Sequence, residues 1–325
     1  MSDPTIFHSE GWKRVLIETF GYKPFYYGSL SDKAFLPAML VKSPLLGKKF
    51  LCSSPFGEAE PIVSGCGDLA GMFEFLDKIF SEEKLDYIEI KGMGEDCIGT
   101  AKKFGFRETY ENFRFAIDLK DPLDAIFNNF KGTIKYDIKR AGSLGLIVKK
   151  EIAVDDFYRL HLRTMKRLGT PPLGKDFFAN MFKYLGENAV MFSAFLDGKR
   201  ISSIILLIDP NKNESRYAFA SNDRKYKNIN ANTLLIYEAI KYSKQIGCKY
   251  FDFGVSRQGS GVWEFKKKWC PAEPARVHYM YKFRTQGVID VRDKKIRLFA
   301  KIWRNFIPLF VANMIGPFIR RQLGK

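Results

Sequence analysis

The chain has 325 residues, 46% of them hydrophobic, 15% aromatic and 27% charged. This balance describes a globular protein of about two domains and excludes disordered and low-complexity classes. Five scattered Cys with no C-x-x-C pair, and three His far apart in sequence, exclude a disulfide scaffold, a cysteine zinc site and an H-E-x-x-H motif, and no metal is expected. The formal net charge of +17 is uneven: eleven Lys/Arg from Lys282 onward face only Asp290 and Asp293, a net +9 in the last 44 residues. Such a run either keeps the surface solvated or seeks phosphates, RNA or an anionic membrane.

The opening MSDPTIFHSEGWKRVLIETFG lacks the basic-then-apolar order of a secretory leader, so none is expected. Strands are expected at Lys33–Lys42, with Pro37 favouring an edge, and at Lys49–Cys52, before the turn-rich Ser53–Gly57. Leu69, Met72, Phe73, Leu76, Ile79 and Phe80 have helical spacing. Strand Tyr87–Lys91, helix Cys97–Phe104, strand Phe113–Leu119 and a helix after Pro122 complete the first third. Helices then follow at Asp155–Leu168 and Lys175–Leu185, on either side of the break Gly169-Thr-Pro-Pro172. Strands Val190–Leu196 and Ile201–Ile208 meet at Asp197-Gly198, a strong hairpin signal. Strand Ser215–Ala220, helix Ala231–Ile246, strand Tyr250–Phe253 and strand Val277–Phe283 finish the pattern. Both halves run from helices through a meander to a helix–strand unit, which suggests structural duplication with a boundary near 119–130. The apolar stretch Phe306–Ile315 is too short to span a bilayer and carries Pro308 and Asn313. With Trp303 and cations at its rims, that region either docks an apolar face on the protein or lies in a bilayer interface.

Three segments can carry chemistry. Phe251-Asp-Phe-Gly254 delivers a buried strand end to Ser256-Arg-Gln-Gly-Ser-Gly261 and then to Glu264-Phe-Lys-Lys-Lys-Trp269. Ligand sites in open α/β sheets lie at such strand ends, and the glycines can offer backbone N–H groups to an anion. Three consecutive Lys cannot share one helix face, so one or two can enter a cleft while the others stay in water. The second segment, Ser221–Asn232, holds Arg224, Lys225 and Lys227, with Asn230 as a candidate helix N-cap. The third, Lys131–Gly142, sets Lys135, Lys139 and Arg140 at helical spacing. Each of the three can equally be a solvated face or a structural connection. No G-x-S-x-G, Walker A or G-x-G-x-x-G motif is present.

Taken in order, these segments resemble the FemAB-like (FemABX) branch of the GNAT acyltransferase superfamily, nearest to the FemAB-like proteins found with exopolysaccharide and PEP-CTERM systems. The resemblance rests on Ile138–Ala141, Arg167–Pro171, Ala220–Tyr226, Leu234–Ala239, Phe251–Gly254, Gly259–Gly261 and Phe265–Trp269, and is densest over 131–281. It implies an α/β fold of two tandem GNAT domains with mixed, mostly antiparallel sheets and a site at their interface. The expected bounds are 1–129, 130–290 and a basic amphipathic segment 291–325.

The activity so implied is transfer of an acyl or aminoacyl group to an amine or hydroxyl of a cell-envelope precursor, peptidoglycan or exopolysaccharide, lipid- or nucleotide-linked. The donor would be aminoacyl-tRNA or acyl-CoA, with no tightly bound cofactor. Lys266 would assist the transferred carbonyl or the donor phosphate, and Asp252 or Glu264 would accept the amine proton. Lys135, Lys139, Arg140, Arg224, Asn230, Ser256, Arg257, Ser260 and Gly261 would bind substrate. The turn at 226–232 departs from the acetyl-CoA pattern because it holds no Gly, and a Cβ at each position hinders close backbone approach to a pyrophosphate. That favours a donor held by side-chain cations, such as charged tRNA. The expected location is the cytoplasmic face of the cell membrane. The competing readings are an acetyl-CoA-dependent N-acetyltransferase and a non-catalytic RNA- or membrane-binding adaptor.

Overall fold

A computed structural model describes residues 4–29, 34–63, 66–109, 111–211, 213–270, 272–284 and 294–324. Part of the expected basic run, including Asp290, Arg292 and Asp293, lies outside them. The first stretch of chain holds α1 (Glu10–Phe20), β1 (Lys23–Pro24), β2 (Tyr27–Ser29), β3 (Ala34–Leu36), β4 (Ala38–Ser43), β5 (Lys48–Ser53), β6 (Ile62–Val63), α2 (Cys66–Glu82), β7 (Tyr87–Met93), α3 (Glu95–Lys103) and β8 (Arg107–Glu108). Then come β9 (Asn112–Asp118), α4 (Leu123–Asn129), α5 (Gly132–Ser143), β10 (Ile147–Lys150), α6 (Val154–Leu168), α7 (Lys175–Leu185), β11 (Ala189–Leu196), β12 (Lys199–Ile208) and β13 (Glu214–Asn222). The rest is α8 (Ala231–Gln245), β14 (Tyr250–Arg257), α9 (Gly261–Lys266), β15 (Ala275–Phe283), α10 (Lys294–Phe306) and α11 (Leu309–Leu323).

The chain divides into two compact units, one formed by Met1–Asn112, Gly169–Asn180 and Val277–Lys325, the other by Phe113–Leu168 and Met181–Arg276. These bounds differ from the expected 1–129 and 130–290 because the chain returns to the first unit twice. In the first unit, β1, β4, β5, β7 and β15 lie side by side, β8 pairs with β15, and β2, β3 and β6 form a small separate sheet. Its core packs Leu69, Met72, Phe73 and Leu76 of α2 on Leu40, Leu51, Ile88 and Ile90 of the sheet. Pro37 ends the expected single strand at 33–42 (Lys33 itself lies outside the described residues). β3 joins the small sheet and β4 the large one, since Pro cannot donate to a ladder.

Helix α1, which hydrophobic spacing had not disclosed, is capped by Ser9 Oγ accepting the Trp12 N–H at 3.1 Å, and buries Trp12, Val15, Leu16 and Phe20. Trp12 and Phe20 meet the Phe177 ring at centroid separations of 6.1 and 5.6 Å, which draws 169–180 into this unit.

The second unit orders its strands β9-β14-β13-β12-β11-β10, antiparallel from β13 to β10 and parallel between β13 and β14. The expected hairpin is present. Asp197 and Gly198 both take left-handed φ, 48° and 72°, as the tight turn between β11 and β12 requires. Helix α6 places Asp155 and Asp156 in its first turn and Lys166 and Arg167 in its last, matching the helix dipole. Helix α8 buries Leu234, Leu235, Ile236, Ala239 and Ile240 in a core shared with Phe115, Phe251, Phe253 and Trp269.

The C-terminal helices dock on the first unit through small residues. An added Cβ at Gly316 would stand 2.3 Å from Pro172 Cδ, and one at Gly169 would stand 2.5 Å from the Ala300 carbonyl oxygen. Gln322 Oε1 accepts the Leu45 N–H at 2.7 Å, the Tyr22 hydroxyl donates to the Arg321 carbonyl, and Trp303 is buried. Docking therefore accounts for one face of this segment. Among the described residues no helix is long and apolar enough to cross a membrane. Because the Pro172 ring has no room to yield, Gly316→Ala is expected to cost about 1–3 kcal/mol in urea unfolding and to speed amide exchange across α11.

Candidate active site

The parallel pairing of β13 and β14 is short. Glu214, Ser215 and Arg216 register with Tyr250, Phe251 and Asp252, and beyond this β13 runs to Asn222 and β14 to Arg257 with no further positions registered to each other. A buried ion network sits where the pairing ends. Asp252 is fully buried. Its Oδ2 accepts from Arg216 at 2.6 Å and from Arg114 Nε at 3.1 Å, while Oδ1 accepts the Gly254 N–H at 2.7 Å. Glu214 lies 3.3 Å from Arg114 and 3.4 Å from Arg216, so two carboxylates interleave with two guanidiniums.

Gly254 adopts φ +72°, a left-handed backbone favoured by Gly, and this turns its carbonyl toward α9. The Lys266 ammonium, 6% exposed, donates to the carbonyls of Gly254 at 2.9 Å and Val255 at 3.1 Å. Helix α9 explains why only this lysine is inside. Trp263, Lys266 and Cys270 recur every three to four residues on the buried side, and Glu264, Lys267 and Lys268 face solvent. Trp269 then fixes the end of the segment, with ring centroids 5.1 Å from Phe130 and 5.8 Å from Phe253. Burial first, and then the Asp252 charge, push the Cys270 thiol up to about 12, although the Lys266 charge acts in the opposite direction. Arg114 and Cys270 help to line a cavity of about 160 Å³.

The three sequence segments converge on α5. The Lys131 N–H donates to the Lys268 carbonyl at 3.1 Å, which ties the start of α5 to the lysine run. Asn230 Nδ2 donates to Asp137 Oδ1 at 2.7 Å, which ties α5 to the turn before α8. Asn230 therefore does not cap α8 with its side chain, as expected from sequence. It supplies a left-handed residue, φ 57°, where a Gly would otherwise be favoured. The Arg224–Ile229 turn is a 3-10 helix capped by Asp223.

Arg224, Lys139 and Arg140 are exposed on these elements, and Lys135 donates to the Asn128 carbonyl at 3.0 Å. Ser260 Oγ accepts the Trp263 N–H at 3.1 Å and so caps α9, and Gly261 opens that helix. Ser256 is buried, and its Oγ has no hydrogen-bond partner among the described residues; Arg257 is half-buried.

The structure brings Asp252 and Lys266 together around Gly254 and sets Glu264 on the outer side of α9. Residues not anticipated from sequence are Arg114, Arg216 and Tyr217. Charged residues inside the strand patterns FRFAIDL and ESRYAFA were the available signal for the first two. Burial pushes the Tyr217 phenol above its ordinary range, and its hydroxyl donates to Asn232 Oδ1 at 3.2 Å beside the diverging strands. A separate cavity of about 560 Å³, lined by Lys150, Phe182, Met191 and Tyr242 among others, holds none of the sequence-derived candidates. Among the described residues no three His, Cys, Asp or Glu gather as metal ligands would.

Comparison with known proteins bears on the domain that holds these residues. Residues 128–267 match the acetyltransferase (GNAT) domain family, so α5, the 224–230 turn, β14 and Lys266 all lie within the match. The aspartate/glutamate leucyltransferases of two Leptospira interrogans strains are 31% identical over 94 residues, which is 29% of this chain and 35% of theirs. The matched segment thus spans about a third of those relatives' length. The crystal structure of FemX superposes with a TM-score of 0.70 at 15% identity, over 87% of this chain and 93% of that one. A tandem GNAT protein from the clavulanic acid biosynthesis pathway superposes with a TM-score of 0.52 at 12% identity, over 78% and 80%. The fold is therefore α/β with two GNAT-like domains, and the resemblance to the FemAB-like branch holds across it.

Two outcomes check the buried network. Asp252→Ala leaves the buried Arg216 and the half-buried Arg114 with only Glu214 between them, and a loss of about 3 kcal/mol is expected in denaturant unfolding. With its pKa near 12, Cys270 is about one part in ten thousand thiolate at pH 8. Mass spectrometry after iodoacetamide treatment at that pH is expected to find Cys270 unmodified in the native protein and alkylated once it is unfolded.

Proposed function

We propose that this chain is a GNAT-type acyl- or aminoacyltransferase that moves an activated acyl group onto an amine or hydroxyl acceptor, with aminoacyl-tRNA as donor and a cell-envelope precursor as acceptor. The observation that carries the reading is the buried Lys266 ammonium, held on two strand carbonyls just past the end of the β13–β14 pairing. When the acceptor attacks, a new N–C or O–C bond forms and the carbonyl oxygen gains negative charge. A fixed ammonium in a low-dielectric setting stabilises that oxyanion without reorganising. The ester C–O bond to the donor then breaks, and the acceptor's proton leaves to solvent or to the departing hydroxyl.

In this reading Asp252 is a positioning residue rather than the proton acceptor, because both of its oxygens are engaged and its N–H partner is Gly254 itself. Glu264, on the solvent side of α9, takes no part. Tyr217 keeps its proton at neutral pH and stands as a hydrogen-bond donor near the diverging strands. Exposed cations on α5 and on the 224–230 turn, joined by the Asn230–Asp137 bond, form a rim suited to a phosphate backbone. The glycine-free turn favours tRNA over a pyrophosphate cradled by backbone N–H groups. Two relatives named as leucyltransferases support transfer of an aminoacyl group, and FemX shares the fold. The GNAT domain match also supports a second reading, in which acyl-CoA is the donor.

The test incubates the purified chain with labelled aminoacyl-tRNA or with acyl-CoA and an amine-bearing envelope precursor. Lys266→Met preserves bulk and removes the charge, and kcat is expected to fall about 10²–10³-fold with donor KM little changed. The solvent-facing control Lys267→Met is expected to retain wild-type rates. An unchanged kcat in Lys266→Met removes that lysine from the chemistry. Turnover with acyl-CoA alone reassigns the donor.

A further inference from the structure

The successive helices α10 and α11 present a second surface, independent of the site above. Their inner face uses Ala300, Trp303, Ala312 and Gly316 to pack on the first unit. Their outer face carries Leu298, Ile302 and Phe306 at four-residue steps on α10, and Phe310, Met314 and Phe318 at four-residue steps on α11. Phe306, Phe310, Met314 and Phe318 are 74%, 72%, 71% and 64% exposed. Eight of the sixteen strongly exposed large apolar side chains among the described residues fall between Leu298 and Phe318. Exposed large apolar side chains concentrated in this way mark an interaction surface.

What covers it is argued from charge. At 100° per residue, Lys294, Arg297, Lys301 and Arg304 form one exposed stripe along α10, directly beside the Leu298–Ile302–Phe306 stripe. Exposed Arg321 lies one turn beyond Phe318 on α11. The sequence from Lys294 to Lys325 holds eight Lys/Arg and no Asp or Glu. A second copy of the chain would set like charges against each other. A surface with an apolar interior and anionic headgroups matches both stripes at once. We infer that α10 and α11 form an interfacial membrane anchor that lays its exposed apolar side chains from Leu298 to Phe318 into the headgroup region of an anionic bilayer, with its exposed lysines and arginines on the phosphates. Trp303, at first sight a belt residue, faces inward and is not part of the anchor.

The experiment is sedimentation of the full chain with vesicles of phosphatidylcholine containing 30% phosphatidylglycerol, against vesicles of phosphatidylcholine alone, in 50 and 500 mM salt. Binding is expected to the anionic vesicles and to weaken at least tenfold in high salt. The double variant Phe310→Ser/Met314→Ser is expected to lower partitioning at least tenfold at unchanged circular dichroism. Lys301→Glu/Arg304→Glu is expected to abolish the preference for anionic vesicles. These side chains are exposed, so neither variant removes a core contact. Wild-type binding no stronger than that of the Phe310/Met314 variant overturns the inference. So does light scattering that shows a wild-type dimer which that variant splits. Acyl-transfer rates do not enter the test, so its failure leaves the proposed activity untouched, and the reverse also holds.

Discussion

The Asp252 carboxylate, shut away from water between Arg216 and Arg114, sets the geometry on which the candidate site depends. Burying an ion is costly, and the attraction of its partners offsets that cost only when the hydrogen bonding is complete. Here both carboxylate oxygens are engaged, each in a particular direction. One oxygen takes the two guanidiniums and the other takes the Gly254 N–H, so the same group that ends the β13–β14 pairing also holds the left-handed turn of Gly254. The turn exposes two successive carbonyls, and those carbonyls receive the Lys266 ammonium. Charge, backbone conformation and the buried lysine are therefore one linked arrangement, and none of them can shift alone.

Aromatic packing supplies the opposing support. An ammonium drawn out of water needs its helix pinned, and a six-residue helix has little stability of its own. Trp263 packs edge-on against Phe113 and Phe115 at 5.1 and 4.9 Å, and Trp269 closes against Phe130. Lys266 lies between these two anchors at helical spacing, which is why it, and not Lys267 or Lys268, turns inward. The arrangement is stiff by construction, as electrostatic stabilisation of a developing charge requires.

The clearest local signals in the sequence match the structure, and contacts between distant positions are not written in it. Asp197-Gly198 specifies its hairpin with two residues, and the limits of α7 follow from the apolar spacing after Pro172. Helical geometry alone allows one or two of the FKKKW lysines to turn inward, and the structure buries one, Lys266. By contrast, Arg114 and Asp252 are 138 positions apart, and nothing near either one announces the other. Asn230 looked like a cap because Asn often caps. Its amide instead spends its hydrogen bond on Asp137, 93 positions earlier, and the backbone keeps the left-handed value. Pro37 was recognised as a poor central residue, but only the competition between two sheets shows that it divides one apolar run into two strands. The return of 169–180 to the first unit rests on Phe177 meeting Trp12 and Phe20, a contact that no linear boundary can represent.

The two C-terminal helices show how little a docking face needs and what that leaves over. Gly316 and Ala312 on α11, with Ala300 on α10, permit backbone-close approach, and close approach gains dispersion contacts without large side chains. Large apolar groups on the opposite face add nothing to that contact. Left in water, each keeps apolar surface exposed at about 25 cal/mol per Å² that burial would recover. The fold therefore accounts for the small residues of these two helices and not for Phe306, Phe310 and Phe318, whose hydrophobic surface and neighbouring cations find a matching environment outside the chain.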